Sequence, residues 1–327
     1  MSHDESAVPN ELLDFIKQGK KFLIAGHIEP DGDCVGSQLA LASALRRMGK
    51  ETILCSAGPF NRSEIKKYEN LFLSAPAERD AKVILLDCST LGRTGDLASY
   101  LEGLPIAVID HHETKNPADE PLAGPLNYIA FDAPSTTFLV KKLILALGLE
   151  LNQEEAELLF FGLCTDTGFF RHVGSGGAVC FETAADLIRC GANPKAAFAA
   201  INGGKSLNSR RRVGHLLLNT ESFYEGKMLL GTEEFEKASF FGPQDRDSDS
   251  VYQLLQAVAG VEVIVLIRQE TEEKCSVGLR SRSMVDVGSI AASLGGGGHK
   301  NAAGISLAGT INELKPIIVN AFADSMK

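Results

Sequence analysis

The chain has 327 residues, of which 44% are hydrophobic and 23% charged, and its net charge is −10. This length fits one large domain or two ordinary ones, and the composition is that of a globular protein with a substantial core. The negative charge argues against a protein that coats long nucleic acid, because binding along a phosphate backbone needs a basic surface. A short anionic substrate remains compatible with it, since carboxylates that surround bound divalent cations are neutralised in the metal-loaded protein.

Targeting and redox signals are sparse. No apolar run reaches the length of about 18 residues that a membrane-spanning helix needs, and the N-terminal MSHDESAVPN lacks the basic and apolar regions of a signal peptide. We therefore expect no membrane partner and a cytoplasmic location.

The seven cysteines contain no CxxC pair, which predicts free, mostly buried thiols rather than a disulfide framework or a structural zinc site.

Strand-like and helix-like segments alternate through the first half of the chain. The predicted strands are KFLIAGH, ETILCSA, AKVILLDCS and LPIAVIDHH. The predicted helices are SQLALASALRRMGK, IKKYENLFL, FLVKKLILALG behind the capping run Ser135-Thr136-Thr137, QEEAELLFFGLCTDTG (a helix, or a helix followed by a strand) and GAVCFETAADLIRCG. Alternation of this kind predicts a parallel, doubly wound sheet.

The pattern changes near residue 195. GKSLNSRRRVGHLLLNT predicts one helix, which we interpret as a linker. Beyond it follow a strand (KMLLGTEEF), a helix (SVYQLLQAVAG), a hairpin (VEVIVLIRQ and KCSVGLRSR), a helix (VDVGSIAASL) and a strand (AAGISLAG). The sequence thus predicts an α/β protein: an N-terminal domain over 1–195 with a doubly wound, mainly parallel sheet, a helical linker over 196–214, and a smaller C-terminal α+β domain over 215–327 with a mixed sheet.

Acidic and histidine residues follow the buried strands of the first half. The set consists of His27, Asp31, Asp33, Asp87, Asp110, His111, His112 and, in the segment LLFFGLCTDTG, Asp166. Ligands of an open α/β sheet bind at the carboxyl ends of its strands, so we expect these side chains to meet. A single aspartate after a strand is usually a helix cap, and a single histidine is usually structural. Because three strands are each followed by acidic or histidine residues, a capping or structural role for all of them is a poor explanation.

Eight such residues at one sheet edge need a counter-charge. Without one, the carboxylates would repel each other and shift each other's pKa values strongly. Mixed histidine and carboxylate ligation suits manganese, zinc or iron better than magnesium. Two metals about 3.5–4 Å apart with a bridging carboxylate would use the whole set, as in many phosphatases and nucleases. We therefore expect two divalent metal ions as cofactors. We interpret Gly32 and Gly36 as allowing the tight backbone of the turn that carries His27, Asp31 and Asp33.

The second domain contains GGGGHKNAAG at 295–304. A dinucleotide-binding turn would follow a strand, whereas these glycines follow a predicted helix, which disfavours a dinucleotide-dependent oxidoreductase. Four glycines also exceed what a helix cap requires. We interpret them as a loop whose backbone N–H groups approach an anion. His299 and Arg280 can bind a phosphate or a carboxylate, and Arg282 is the solvated alternate to Arg280.

In order and spacing, these motifs resemble those of the DHH phosphoesterases. HIEPDGDCVGS, LLDCS, VIDHH and CTDTG are similar to the four N-terminal motifs of that family, and VGLRSRS with GGGGHKNAAG is similar to the C-terminal domain of one branch. The two-domain length resembles the oligoribonuclease and pAp-phosphatase members, also called nanoRNases. The long exonucleases of the family carry extra domains, the membrane-bound cyclic-dinucleotide phosphodiesterases carry transmembrane segments, and the family II pyrophosphatases end in a different domain.

The resemblance implies a role for each site residue, with manganese as the expected metal. The first metal would be held by His27, Asp31 and Asp87, and the second by Asp33, Asp87, His111 and Asp166. Asp87 would bridge the two metals and so belong to the catalytic set with His112 and Asp110. His112 would face the scissile phosphate, and Asp110 would orient a neighbouring histidine. The substrate's other phosphate or terminal nucleotide would be bound by Arg280, Ser281, Gly297, Gly298 and His299.

The function implied is two-metal hydrolysis of very short oligoribonucleotides to mononucleotides, of pAp to AMP and phosphate, or of both. The expected partners are therefore short oligoribonucleotides or a nucleotide such as pAp, without long duplex nucleic acid, and a homodimer stays open. One alternative is a cyclic-dinucleotide or linear dinucleotide (pApA-type) phosphodiesterase on the same scaffold. Another is a non-catalytic nucleotide-binding module, which the complete ligand set argues against.

Overall fold

The computed structural model describes residues 7–112 and 126–326 and divides the chain into two compact units, Met1–Gly204 and Lys205–Lys327. The division falls inside the predicted linker, which covers parts of two helices, one in each unit. Within the described residues, every helix is too short or too polar to cross a membrane. The cysteines are free thiols, and all but Cys190 are buried.

The first unit is built on a sheet of five strands within the described ranges. The strands are β1 (Lys21–Ala25), β2 (Glu51–Cys55), β3 (Lys82–Leu86), β4 (Ile106–Asp110) and β5 (Asn127–Ile129). The helices are α1 (Asn10–Gln18), α2 (Gly32–Arg47), α3 (Ala98–Leu101), α4 (Thr136–Ala146), α5 (Gln153–Asp166), α6 (Ala178–Arg189) and α7 (Pro194–Asn202). The strand order is β2-β1-β3-β4-β5, and every pairing is parallel. This confirms the predicted doubly wound parallel sheet.

Helices cover both faces of this sheet, which explains the uninterrupted apolar strands. Along β1, Phe22 and Ile24 join the core under one face, and Leu23 and Ala25 join the core under the other. Because the strands are parallel, their carboxyl ends all open at the same edge. The residues that follow β1, β3 and β4 are thereby brought together.

Three sequence interpretations of this unit change. The segment IKKYENLFL forms a 3₁₀ helix over Lys66–Leu71 rather than an α-helix, and none of the residues of that helix is buried. The segment is held by Ile65, which is fully buried just before the helix. Gly32 and Gly36 lie inside α2 and not in the turn before it. A Cβ on Gly36 would stand 2.7 Å from the Leu158 carbonyl oxygen, so this glycine allows the close packing of α2 on α5. The helix-then-strand alternative for QEEAELLFFGLCTDTG is wrong, since α5 runs to Asp166.

The second unit has a six-stranded sheet within the described residues. Its strands are β6 (Thr220–Phe223), β7 (Met228–Glu233), β8 (Val263–Thr271), β9 (Lys274–Ser281), β10 (Gly297–His299) and β11 (Ala302–Ala308). Its helices are α8 (Leu207–Leu218), α9 (Phe235–Phe241), α10 (Ser248–Gln256), α11 (Val287–Ser293) and α12 (Ile311–Ala321). The order is β10-β11-β9-β8-β7-β6, with β7 and β8 parallel and the other pairs antiparallel. The predicted mixed sheet is confirmed.

The two faces of this second sheet have different surroundings. On one face, Val277 and Leu279 of β9 pack into a core with residues of α11 and α12. On the other face, Ile264 and Leu266 of β8 pack beneath α8 and α10. Farther along that second face, β10 and β11 carry exposed residues, which include Gly304. That face is therefore covered on the side of β8 and open on the side of β10.

Candidate metal centre

His27 lies just past β1, at the carboxyl edge of the first sheet, and is buried. Its Nδ1 is 2.7 Å from the Ile28 carbonyl oxygen, and its Nε2 is 3.4 Å from Asp87 Oδ2 and 4.0 Å from Asp31 Oδ1. Burial lowers the pKa of His27, but the hydrogen bond and charge of Asp87 outweigh burial, and the pKa is raised. Asp31 also caps α2 by accepting from the backbone N–H groups of Asp33 and Cys34.

Asp33 occupies the first turn of α2 and is fully buried. Its Oδ1 accepts from the Thr137 N–H at 3.0 Å and the Thr137 hydroxyl at 2.7 Å, and its Oδ2 accepts from the Thr136 N–H at 2.6 Å. These donors belong to the N-terminus of α4, which favours a negative charge. Burial, followed by the charges of Asp87 and Asp166, nevertheless raises the pKa of Asp33 well above its usual range.

Asp87 follows β3 and stands at the centre of the cluster. It is 1% exposed, its φ is +62°, and its Oδ1 accepts from the Thr136 hydroxyl at 2.8 Å. A left-handed backbone is uncommon for a residue other than glycine and is typical of functional sites. Burial raises the pKa of Asp87, but hydrogen bonding to His27 and the charges of His27, His112 and His111 lower it below its usual range.

Asp110, the last residue of β4, is fully buried and holds the next two residues. Its Oδ1 accepts from the backbone N–H groups of His111 and His112, at 2.8 and 3.1 Å, and lies 2.9 Å from His112 Nδ1. This hydrogen bond, which outweighs the effect of burial, raises the pKa of His112 to about 9. The His112 side chain is 52% exposed, so a charged imidazole stands at the open side of the cluster.

His111 provides the clearest sign of a metal site. Its Nδ1 is 3.2 Å from the Ala133 carbonyl oxygen, so we assign the proton of the neutral ring to Nδ1. Its Nε2 is buried and has no hydrogen-bond partner among the described residues. That atom lies 3.9 Å from Asp33 Oδ2, 3.8 Å from Asp87 Oδ1 and 3.7 Å from Asp166 Oδ2. A lone pair directed among three carboxylates fits a cation, and the hydrogen bond at Nδ1 is the one that orients ligating histidines.

Asp166 ends α5 and brings the third carboxylate. A helix C-terminus disfavours a carboxylate, and burial raises the pKa of Asp166 to about 6 against the lowering effect of His111.

The described residues contain three groups of side chains that could hold a metal ion. Within each group, the potential ligand atoms all lie within 4.8 Å of one another. The groups are His27, Cys34 and Asp87; Asp87, His111 and His112; and Asp33, His111 and Asp166. Asp87 and His111 each belong to two groups, so the donor set fits adjacent divalent metals.

Three residues of this centre were not among the predicted site residues. Thr136 and Thr137 were interpreted only as helix-capping residues, and they also hold Asp87 and Asp33. Cys34 was given no role, yet its sulfur lies within the first group of potential ligands. The Cys34 thiol is 3.6 Å from Gln38 Oε1, and burial raises its pKa well above its usual range. Cys34 would bind a metal only by losing its proton.

The predicted substrate-binding residues of the second unit divide between the two faces of its sheet. Register aligns His299 with Ala302 and Arg280, on the open face. Ser281 is 4% exposed, shares the core-facing side of β9 with Leu279, and lies 3.4 Å from the Lys300 carbonyl oxygen.

The glycine run is not the predicted loop. Gly295 lies just past α11 with a φ of +81°, and Gly297–His299 form the edge strand β10. Gly298 pairs with Ala303 on the core-facing side, and a Cβ there would lie 2.5 Å from Ala303 Cα. Pairing with β11 fixes these residues, which is why a strand replaces a loop.

Comparison with known proteins agrees with these features. Residues 21–163 match the DHH family, N-terminal domain, and residues 238–326 match the DHHA1 domain. The bifunctional oligoribonuclease and PAP phosphatase NrnA of Thermus thermophilus is 34% identical over 88% of this chain and 84% of its own length. The Bacillus subtilis protein of the same name is 26% identical over 91% of this chain and 92% of its own length.

Solved structures agree in fold. An exopolyphosphatase-related protein from Bacteroides fragilis superposes with a TM-score of 0.82 at 23% identity, covering 97% of this chain and 95% of that one. The exonuclease RecJ bound to manganese gives a TM-score of 0.53 at 18% identity, covering 97% and 93%.

Proposed function

Since the chain belongs to the DHH phosphoesterase family, we propose that it is a metal-dependent hydrolase of phosphate esters that acts on very short oligoribonucleotides, on pAp, or on both. The observation that carries the proposal is the buried His111 Nε2 among three carboxylates. The substrate class rests on the relatives named oligoribonuclease and PAP phosphatase.

In this proposal two divalent metals, with manganese as the expected ion, are held by the predicted ligands. These are His27, Asp31 and Asp87 for one ion, and Asp33, Asp87, His111 and Asp166 for the other. When bound, such ions supply positive charge to the phosphoryl oxygens and make hydroxide available near neutral pH. The threonine donors at the start of α4 hold Asp33 and Asp87 in place.

His112 contributes a proton-bearing group at the open side of the centre. Asp110 accepts from Nδ1, so Nε2 is the nitrogen free to act on a substrate. The hydrogen bond to Asp110 raises the pKa of His112 to about 9, which favours a ring protonated on both nitrogens. Nε2 can therefore donate a hydrogen bond to a phosphoryl oxygen or a proton to the leaving ribose oxygen. Asp110 fixes the direction of that donor.

The second unit would bind the remainder of the substrate. Arg280 offers a planar guanidinium suited to a phosphate, and His299 lies in the same row of the open face. The Gly297 position adds no side chain there, so a ligand can approach the backbone. Ser281 and Gly298 would support this site from the core-facing side by fixing the ends of β9 and β10.

A panel of substrates tests the proposal. Turnover is measured with manganese, and again with excess chelator, on a 5′-labelled RNA dinucleotide, pAp, pApA, cyclic di-AMP and pyrophosphate. We expect metal-dependent release of mononucleotides from the dinucleotide, AMP from pAp, or both. Activity confined to pyrophosphate or cyclic di-AMP would overturn the substrate assignment. Stoichiometric nucleotide binding without product would instead support a binding module.

Replacing His299 by alanine is expected to raise KM about tenfold or more for the best substrate and to leave kcat within about twofold. The reason is that a hydrogen bond to a charged phosphate contributes about 1.5–3 kcal/mol to binding, while the metal centre keeps its own residues. Initial-rate kinetics give both constants, and His215→Ala, which removes an imidazole on α8, is the control. A fall in kcat at unchanged KM would contradict a binding role for His299.

A further inference from the structure

Arg280 on the open face packs against an aromatic ring. The Arg280 guanidinium carbon is 4.6 Å from the ring centroid of Tyr252, a residue of α10. The Tyr252 side chain is anchored, because it belongs to the apolar cluster that joins α8 and α10 to Ile264 and Leu266 of β8. Tyr252 is only 6% exposed. An ordered ring therefore supports one face of the Arg280 guanidinium.

Gly278 explains how the ring reaches this position. Gly278 precedes Arg280 by two residues on β9 and so shares its face of the sheet. A Cβ on Gly278 would lie 2.0 Å from the Tyr252 hydroxyl oxygen. The tyrosine thus fills the space that a side chain at position 278 would need. The contact joins α10 to the same strand that carries Arg280.

The side of Arg280 that faces the edge of the sheet is open. Register places Gly278, Gly304 and Gly297 in one row across β9, β11 and β10, with Arg280, Ala302 and His299 in the adjacent row. The Arg280 side chain makes one hydrogen bond within the described residues, from Nη1 to the Leu279 carbonyl oxygen at 3.0 Å. Its remaining N–H groups are available to an anion, and the neighbouring row of three glycines places no side chains beside that anion.

We propose that Tyr252 is a positioning residue that holds the Arg280 guanidinium ready to bind a substrate phosphate on the open face of the second unit. This inference rests on the proposed function, in which Arg280 binds such a phosphate. A long arginine side chain loses rotamer freedom when it binds, and a stacked ring removes part of that loss in advance. Burial raises the pKa of Tyr252 and outweighs the charges of Arg268 and Arg280, so the phenol is neutral and the ring acts through its face.

Two variants test the contact from its two sides. Tyr252→Leu removes the ring, and Gly278→Ala displaces it from Arg280 without changing either partner. We expect each to raise KM for the best substrate about tenfold, with kcat within about twofold of wild type. Tyr252→Phe keeps the ring and is expected to restore KM to within about twofold. Thermal melting confirms that each variant is folded.

A mutant cycle separates positioning from general packing. In an Arg280→Ala background, Tyr252→Leu is expected to change KM by less than about twofold, because the group it positions is absent. Equal effects of Tyr252→Leu with and without Arg280 would overturn the inference, as would a Tyr252→Phe variant as impaired as Tyr252→Leu. If the wild-type protein hydrolyses none of the substrates, the proposed function is wrong. If the wild-type protein hydrolyses a substrate and Tyr252→Leu leaves KM for it unchanged, the inference about Tyr252 is wrong and the proposed function stands.

Discussion

Replacing Asp87 by asparagine is expected to lower kcat by about a thousandfold or more and to abolish any thermal stabilisation by an added divalent metal. Asp87 is the carboxylate nearest to His27, at 3.4 Å, and it also lies within 4 Å of His111 and His112. A site that shares one carboxylate between two metals loses the charge that holds both when that carboxylate becomes neutral. Asparagine keeps the size of the side chain and tolerates the left-handed backbone at this position.

Two measurements decide this prediction. Steady-state kinetics give kcat, and thermal melting with and without manganese gives the stabilisation by metal. Asp132→Asn is the matched control, because Asp132 is exposed in the same unit and lies outside the cluster. Thermal melting of the metal-free Asp87→Asn protein also shows whether the variant is folded, so a loss of turnover can be separated from a loss of structure. Substantial turnover by this variant would show that Asp87 is not the shared ligand.

Replacing Glu233 by alanine is expected to destabilise the second unit by about 3–5 kcal/mol. Glu233 ends β7 and is fully buried, and its two oxygens accept from Arg212 Nε and Nη2, both at 2.7 Å. Arg268 Nε lies 3.2 Å from Glu233 Oε2. Arg212 and Arg268 are themselves buried, at 2% and 6% exposure. Alanine would leave two cations without their shared counter-charge in a region of low dielectric.

Urea unfolding followed by circular dichroism measures the effect, because the chain has no tryptophan to report it. Glu234→Ala is the control, since Glu234 is the next residue and is exposed. The control should lie within about 0.5 kcal/mol of wild type. A loss below about 1 kcal/mol for Glu233→Ala would mean that water or a rearranged side chain compensates Arg212 and Arg268.

The parallel sheet and the gathering of eight acidic and histidine residues at its carboxyl edge could be predicted because their signals are local. Apolar runs of strand length, each followed within a few residues by His27, Asp87 or Asp110, define both the strand and the edge at which it ends. A parallel sheet then brings these positions together without further information. The exception is Asp166, which reaches the centre from the end of a helix, α5, and not from a strand.

The remaining features of the centre depend on packing between distant segments. Thr136 reaches Asp87 across 49 positions of the chain, and Thr137 reaches Asp33 across 104. Both threonines already had a sufficient local explanation as capping residues of α4. No local pattern distinguishes a threonine that only caps a helix from one that also holds a ligand.

From the order of the amino acids, strand periodicity predicted the parallel and mixed sheets, motif spacing predicted the chemistry of the cluster, and the resemblance of the motifs indicated the family. Only the tertiary structure decided the face on which each residue of the second unit lies. Strand pairing turned a predicted glycine loop into the edge strand β10 and set Arg280 and His299 apart from Ser281. It also brought Tyr252 from α10 over Gly278, a contact between segments 26 residues apart. Register and helix packing are set by the fit of whole surfaces, and no short stretch of sequence records that fit.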